Sequence, residues 1–313
     1  MDRPWLSVLV PSHNGERWLG AALQSVLDQN EPGIEVILLD SSAAETSLGI
    51  AESFAGKLDI HCERRLDLLQ WPAKINVAAA TARAPWICIL HQDDLWLPGR
   101  GVALRRWLAE QPATIMHLHP VYIVDNAGKR LGLWRCPLPS GEVPRQTLLQ
   151  RLLVQNFIAI PTPAIRREAY LAASGMDERL WYTADWDLYL KLVLAGGVHY
   201  HPEPLACFRI HGDSLTVTGS DTIEDFRNQM EIVRDRYIGR LSAGREETLR
   251  IATVSIDLNV ALAAAGNGRP GRLIRALARL LALGPRKISR YFRDSRIIER
   301  VVPRLRARLA GSW

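Results

Sequence analysis

Short apolar runs alternate along this chain with stretches whose apolar residues recur every three or four positions, a pattern that predicts strand and helix in turn. Trp5 to Val10 reads as a buried strand closed by the turn cluster Pro11-Ser12-His13-Asn14-Gly15. From Glu16, the apolar positions Trp18, Leu19, Ala22, Leu23, Val26 and Leu27 have helical spacing until Pro32-Gly33. Glu35 to Leu39 is a second buried strand ending at Asp40, and a helix follows over about 44–56. A weaker strand at 58–63 and an Ala-rich helix at 72–83 lead to a fourth strand, Ile87 to Leu90. That strand runs into His91-Gln92-Asp93-Asp94, and Pro98 opens the next helix. The alternation predicts an α/β fold with a mostly parallel central sheet and helices on both faces. In such a sheet the loops after the strands open on one rim. Ser12/His13, Asp40/Ser41 and Asp93/Asp94 are therefore expected to converge.

Beyond residue 111 the pattern changes. Strands are predicted at 114–119 and 122–124, with a turn at Asp125 to Gly128 and a return strand to Trp134. Helices follow at 144–154 and 167–173, with Pro161-Thr162-Pro163 as a rigid extended link between them. Another helix opens after Thr183, and Leu205 to Ile210 is strand-like. After about Asp221 every periodic stretch is helical. The expected organisation is a catalytic domain over 1–218 and a C-terminal helical, Arg-rich region over 219–313.

With 313 residues, 48% of them hydrophobic and 23% charged, the chain has ordinary globular composition. No stretch reads as a membrane span, and the 5–10 run is too short for a signal peptide, so a cytoplasmic protein is expected, soluble or peripherally attached. The four cysteines are scattered without Cys-x-x-Cys, which argues against a zinc site or a disulfide framework. The net charge of +6 hides an asymmetry: residues 269–313 hold thirteen Arg or Lys against two acids, a balance of +11, leaving the rest at −5. The basic amphipathic stretch at 273–283 would lie on an anionic membrane surface or pack on the domain with a solvated Arg face. No nucleic-acid module is evident, and no nucleic-acid partner is expected. The absence of Gly-x-Gly-x-x-Gly and of Gly-x-x-x-x-Gly-Lys-Ser/Thr argues against dinucleotide and P-loop enzymes.

The candidate chemistry is carboxylate chemistry. Asp93 and Asp94 repel each other unless a positive charge lies beside them, and a divalent cation carrying phosphates satisfies both. A solvated turn capping the helix after Pro98 accounts for the same residues. Thr183 as N-cap places Asp185 in a first helical turn, where backbone N–H groups favour the anion; Asp185 and Asp187 could equally just suit a helix start. His211, after a strand, is either structural or a ligand.

Seven stretches, in order, resemble family 2 glycosyltransferases of the GT-A fold. They are Val10-Pro-Ser-His-Asn14 with its helix to Gln29; Val36 to Asp40; Asn76; His91 to Pro98; Gly175 to Leu180; Asp185-Trp186-Asp187; and Arg209-Ile210-His211. They span roughly residues 5–215. The resemblance implies an inverting transferase, hexosyl or related, that moves a sugar from a nucleoside-diphosphate sugar to a hydroxyl of a glycan or lipid-linked glycan. Surface polysaccharide synthesis at the cytoplasmic face of the inner membrane would suit it. It implies that Pro11, Ser12, His13, Asn14 and Asp40 bind the nucleotide and that Lys74 lies near the diphosphate. Asp93 would lie near ribose and metal, Asp94 would hold Mn²⁺ or Mg²⁺, His211 would assist at metal or phosphate, and Asp185 would be the general base. The chain departs from the family where Asp40-Ser41-Ser42 replaces Asp-Asp-Gly, where His91 replaces an Asp, and where Ala184 replaces the Glu before the base. Two alternatives are a sugar nucleotidyltransferase, which would want a Gly-rich basic loop after the first strand, and a non-catalytic sugar-nucleotide-binding or scaffold protein on the same fold.

Overall fold

A computed structural model describes residues 3–212, 222–266 and 268–312. The expected domain boundary at 218/219 lies outside the described residues. An eight-stranded sheet runs in the order β3-β2-β1-β4-β10-β6-β11-β9. Its first half is made of β1 (Leu6–Ser12), β2 (Ile34–Asp40), β3 (Asp59–Arg64) and β4 (Trp86–Ile89), all parallel. Side-chain alternation divides β1 between two cores. Leu6, Val8 and Val10 face α1 (Leu19–Leu27), α2 (Thr46–Glu52) and α4 (Arg100–Glu110). Leu9, with Ile37, Leu39, Ile87 and Ile89, faces α3 (Trp71–Thr81), α5 (Arg145–Val154) and α7 (Ala184–Ala195). The prediction of helices on both faces therefore holds.

The second half of the sheet departs from the parallel expectation. The segment after the Pro161–Pro163 link forms β10 (Ala164–Arg166), antiparallel to both β4 and β6 (Thr114–Leu118), and leads into α6 (Arg167–Ala172). Beyond them come β11 (Gly197–Tyr200) and β9 (Gly141–Glu142), neither of which has an apolar run long enough to read from sequence. A second, four-stranded sheet joins β5 (Leu95–Trp96), β12 (Ala206–Arg209), β7 (Val121–Val124) and β8 (Arg130–Trp134) in that order. Because β5 follows Asp94 directly and pairs with β12, this small sheet carries Arg209 to the carboxylate pair.

The C-terminal helices are α8 (Ile223–Tyr237), α9 (Arg245–Gly266), α10 (Gly271–Leu281), α11 (Pro285–Ser295) and α12 (Ile297–Leu309). Phe226, Met230 and Val233 of α8, and Ile256 and Val260 of α9, share the core that covers one face of the large sheet. By length and composition α9 is apolar enough to cross a membrane, which corrects the expectation that no stretch would qualify. Most of it is buried inside the protein, with Ile251, Val254 and Leu258 against α10, α11 and Val154.

α12 returns to the catalytic region and lies on β8. Gly132 lacks a Cβ where one would sit 2.8 Å from Cγ of Pro303 in α12. The Arg135 N–H donates to Oε2 of Glu299 at 2.7 Å, and Nη1 of Arg306 donates to the Leu131 carbonyl at 3.0 Å.

Candidate active site

The parallel strands place three predicted loops on one rim. Ser12 pairs with Asp40 at the ends of β1 and β2, and Gln92, after β4, locks the first loop to the third. Its Oε1 accepts the His13 N–H at 2.7 Å, and its Nε2 donates to the His13 carbonyl at 2.9 Å. His13 Nδ1 lies 3.1 Å from Ser41 Oγ. The Asn14 N–H donates to Ser42 Oγ at 2.7 Å, and Ser42 Oγ donates to Asp40 Oδ1 at 2.7 Å. Asn14 takes a positive φ of 51°, which an Asn tolerates better than most residues. Ser42 thus ties the fully buried Asp40 into the loop. Lys74 is also buried, and its ammonium donates to the Ser12 carbonyl at 2.5 Å. Burial brings its pKa down to about 8, although the Asp40 charge opposes the shift.

The metal-pair candidates sit deeper. Asp94 is 1% exposed; its Oδ1 accepts the Arg209 N–H at 3.0 Å, and its Oδ2 is buried with no partner. Burial, and then the neighbouring Asp93 charge, push the Asp94 carboxyl far above the ordinary range. Burial also acts upward on Asp93, but the hydrogen bond from His211 Nε2 at 2.8 Å and the His91 and His211 charges hold it below its ordinary value. His211 is buried against the Trp18 ring, centroids 4.3 Å apart. Arg209, in the Arg-Ile-His stretch, organises the site, a role that no local sequence pattern signals. Its Nε donates to the Asp93 carbonyl at 2.8 Å, and Nη1 donates to the Asp125 and Asn126 carbonyls at 2.8 and 3.0 Å. Four bonds from one residue therefore join the carboxylate pair to the β7–β8 turn.

Asp93, Asp94 and Asp185 line one cavity, whose walls include Trp71, Trp134, Trp181 and Tyr182. Asp185 sits in the first turn of α7. Its Oδ1 accepts the Trp186 N–H at 2.7 Å and its Oδ2 accepts from Asn156 Nδ2 at 3.0 Å. The expectation that a helix start would favour the anion is overturned: burial outweighs both hydrogen bonds and pushes the carboxyl up to about 7. Thr183 occupies the N-cap position but makes no capping bond, its hydroxyl being directed to the Gln229 carbonyl. Asp187 is structural: fully buried, it meets Arg236 Nη1 at 2.5 Å and Lys191 Nζ at 2.9 Å. Pro11, Ser12, His13, Asn14, Asp40 and Lys74 do not line the cavity but form the adjoining rim, joined to it through the Gln92–His13 bridge. Asn156, Arg300 and Arg304 also line the cavity, and no local sequence signal singled them out.

Among the described residues, no three His, Cys, Asp or Glu side chains converge to hold a metal ion by themselves. The unpartnered Asp94 oxygen beside a second carboxylate nevertheless fits a hard divalent cation whose remaining positions are filled by phosphate oxygens.

A mixed sheet with helices on both sides and a C-terminal helical region is the GT-A architecture. Residues 7–173 match the model of Glycosyl transferase family 2. The chain belongs to that family and is a glycosyltransferase-class enzyme. It is 24% identical over 244 residues to an uncharacterized glycosyltransferase of Haemophilus influenzae, covering 77% of this chain and 79% of that one. It also resembles S. aureus TarS 1-349 in complex with UDP-GlcNAc, with a TM-score of 0.64 at 17% identity over 99% of this chain and 93% of that one. Against a longer TarS chain it spans 43% of the length. The mannosyltransferase PcManGT of Pyrobaculum calidifontis, in complex with GDP-Man and Mn2+, aligns with a TM-score of 0.52 at 16% identity, covering 97% of this chain and 87% of that one.

Proposed function

We propose that this protein transfers a sugar from a nucleoside-diphosphate sugar to an acceptor hydroxyl by a single inverting displacement. The observation that carries this reading is the opposition of two kinds of carboxylate in one cavity: a buried pair, Asp93 and Asp94, and a lone Asp185 with its pKa near neutrality. The nucleotide would lie over the Pro11–Asn14 loop and Asp40, with Lys74 near the diphosphate. Asp93 and Asp94 would hold Mn²⁺ or Mg²⁺, and His211 would fix the orientation of Asp93. The bound cation would stabilise the charge gathering on the departing nucleoside diphosphate. Asp185 would accept the proton of the attacking hydroxyl, worth about 10²–10⁴-fold. Asn156 and the Trp186 N–H would keep the carboxylate aimed at the cavity. One base on one face of the sugar gives inversion.

The acceptor in this reading is a glycan or lipid-linked glycan at a cytoplasmic membrane face. Ile274 and Leu281 are 78% and 71% exposed on α10, beside the exposed Arg272 and Arg275, which supports peripheral contact with an anionic membrane surface.

The test is thermal-shift binding against UDP-, GDP-, dTDP- and CDP-sugars with and without Mn²⁺. A metal-dependent rise with one nucleotide, abolished in Asp94→Ala, is expected. A flat response from folded protein would remove the transferase reading and favour a scaffold.

A further inference from the structure

The cavity contains two cations that the transfer reading does not use. Arg300 and Arg304 lie one turn apart on α12, and both line the cavity. Nε and Nη1 of Arg300 are buried without a hydrogen-bond partner, and its guanidinium stands 5.4 Å from the Trp134 ring centroid. Nη1 of Arg304 turns back to donate to the Arg300 carbonyl at 2.8 Å. Like charges at this spacing repel, and burying them adds to the cost. Burial, and then the Arg300 charge, bring the Arg304 guanidinium down to about 10. Neighbouring arginines of the same region are paired differently: Arg290 and Arg293 reach Asp294, and Arg296 reaches Glu299. Among the described residues, neither Arg300 nor Arg304 has a carboxylate within salt-bridge distance, although α12 is held firmly on β8 through Gly132, Arg135 and Leu131.

We propose that Arg300 and Arg304 form a subsite for an anionic group of the acceptor, a phosphate or a carboxylate carried near the hydroxyl that is glycosylated. This rests on Asp185 being the base of the transfer reading. Two guanidiniums lining one cavity, with the Nε and Nη1 donors of Arg300 unpartnered, are an arrangement suited to recognising phosphate and carboxylate. Location separates the acceptor from the donor as its source. The Arg300 charge acts on Asp185 and Tyr182, whereas the charged neighbours of Asp93 and Asp94 are His91, His211 and Arg209. The Arg300 charge therefore reaches the base, which makes the acceptor the proposed source of the anion.

The experiment uses the full chain loaded with its nucleoside diphosphate and Mn²⁺. Calorimetry compares glycerol 3-phosphate and galacturonate with their uncharged counterparts, glycerol and galactose. Each anionic probe should bind more tightly than its neutral counterpart. Arg300→Gln with Arg304→Gln should weaken the anionic probes by at least about tenfold while nucleoside diphosphate affinity stays within about twofold. Arg300→Lys with Arg304→Lys retains both charges and should keep most of the discrimination; it also guards against a glutamine variant that fails to fold. Three results overturn the proposal: anionic and neutral probes bind alike, wild-type protein binds nucleotide but no anion, or the glutamine variant loses the nucleoside diphosphate instead, which would give the arginines to the donor. Anion binding, lost in the glutamine variant, by a protein that takes up no nucleotide would sink the transfer reading and leave the anion site standing.

Discussion

Replacing Asp185 by Asn tests the electrostatics of the cavity and its chemistry together. In the folded protein burial raises this carboxyl from 3.8 to about 7. The folded state therefore holds a proton that the unfolded chain has released between about pH 4 and pH 7, and stability falls as pH rises through that window. At about 1.4 kcal/mol per pH unit the full cost above pH 7 is roughly 4 kcal/mol. Asp185 is part-exposed to the cavity, so water there screens the charge and about 2 kcal/mol is the working figure. An amide oxygen can accept from the Trp186 N–H or from Asn156 but not from both, which costs about 1 kcal/mol. Asp185→Asn should therefore be about 1 kcal/mol more stable than the wild type above pH 7, with the advantage gone near pH 4. Denaturant unfolding of ligand-free protein across this range measures the difference. In the same window wild-type kcat/KM should rise with pH and level off above about 7, while the variant loses about 10²–10⁴-fold. A stability difference that does not change with pH, or a variant that keeps most of its activity, refutes the reasoning.

Asp187, two residues along the same helix, should behave in the opposite way. Asp187→Ala strands Arg236 and Lys191 and should cost about 3 kcal/mol in unfolding experiments, with nucleotide affinity unchanged because the side chain does not reach the cavity. Gly132→Ala drives a Cβ into Pro303 and should destabilise by about 1–3 kcal/mol. It should also lower acceptor-dependent turnover while sparing nucleotide binding, since α12 carries Arg300 and Arg304 but none of the nucleotide rim. The exposed Ile274 and Leu281 should support co-sedimentation with anionic vesicles that weakens with salt and is lost in Ile274→Glu with Leu281→Glu. Failure to bind anionic vesicles at low salt would dismiss the membrane surface.

The deep carboxylates illustrate how a site is assembled from groups that are individually unstable. Asp94 keeps an unpartnered oxygen and Asp93 depends on His211. Among the described residues, the only cation bonded to Asp94, Arg209, reaches it through its backbone N–H and directs its guanidinium to backbone carbonyls. Such a pair is poised to take up external positive charge, because the protein supplies geometry without neutralising it.

What could be read from the chain alone is what depends on local pattern. Four apolar runs joined by helical stretches specify parallel strands, and parallel strands put Ser12, Asp40 and Asp93 on one rim whatever the rest of the fold does. Short strands such as β9 and β10 were not legible, because two or three residues carry no period and owe their conformation to neighbouring strands. Neither was the protonation of Asp185: helix position argues for the anion, and only the walls of the cavity reverse that by removing water. The partnership of Asn156 with Asp185, the bonds of Arg209, and the arrival of Arg300 and Arg304 from the far end of the chain all join residues distant in sequence. Sequence composition could count the basic residues of the tail, but only packing of α12 on β8 decided that two of them enter the active-site cavity, because contact between distant segments is set by the shape of the surfaces that meet.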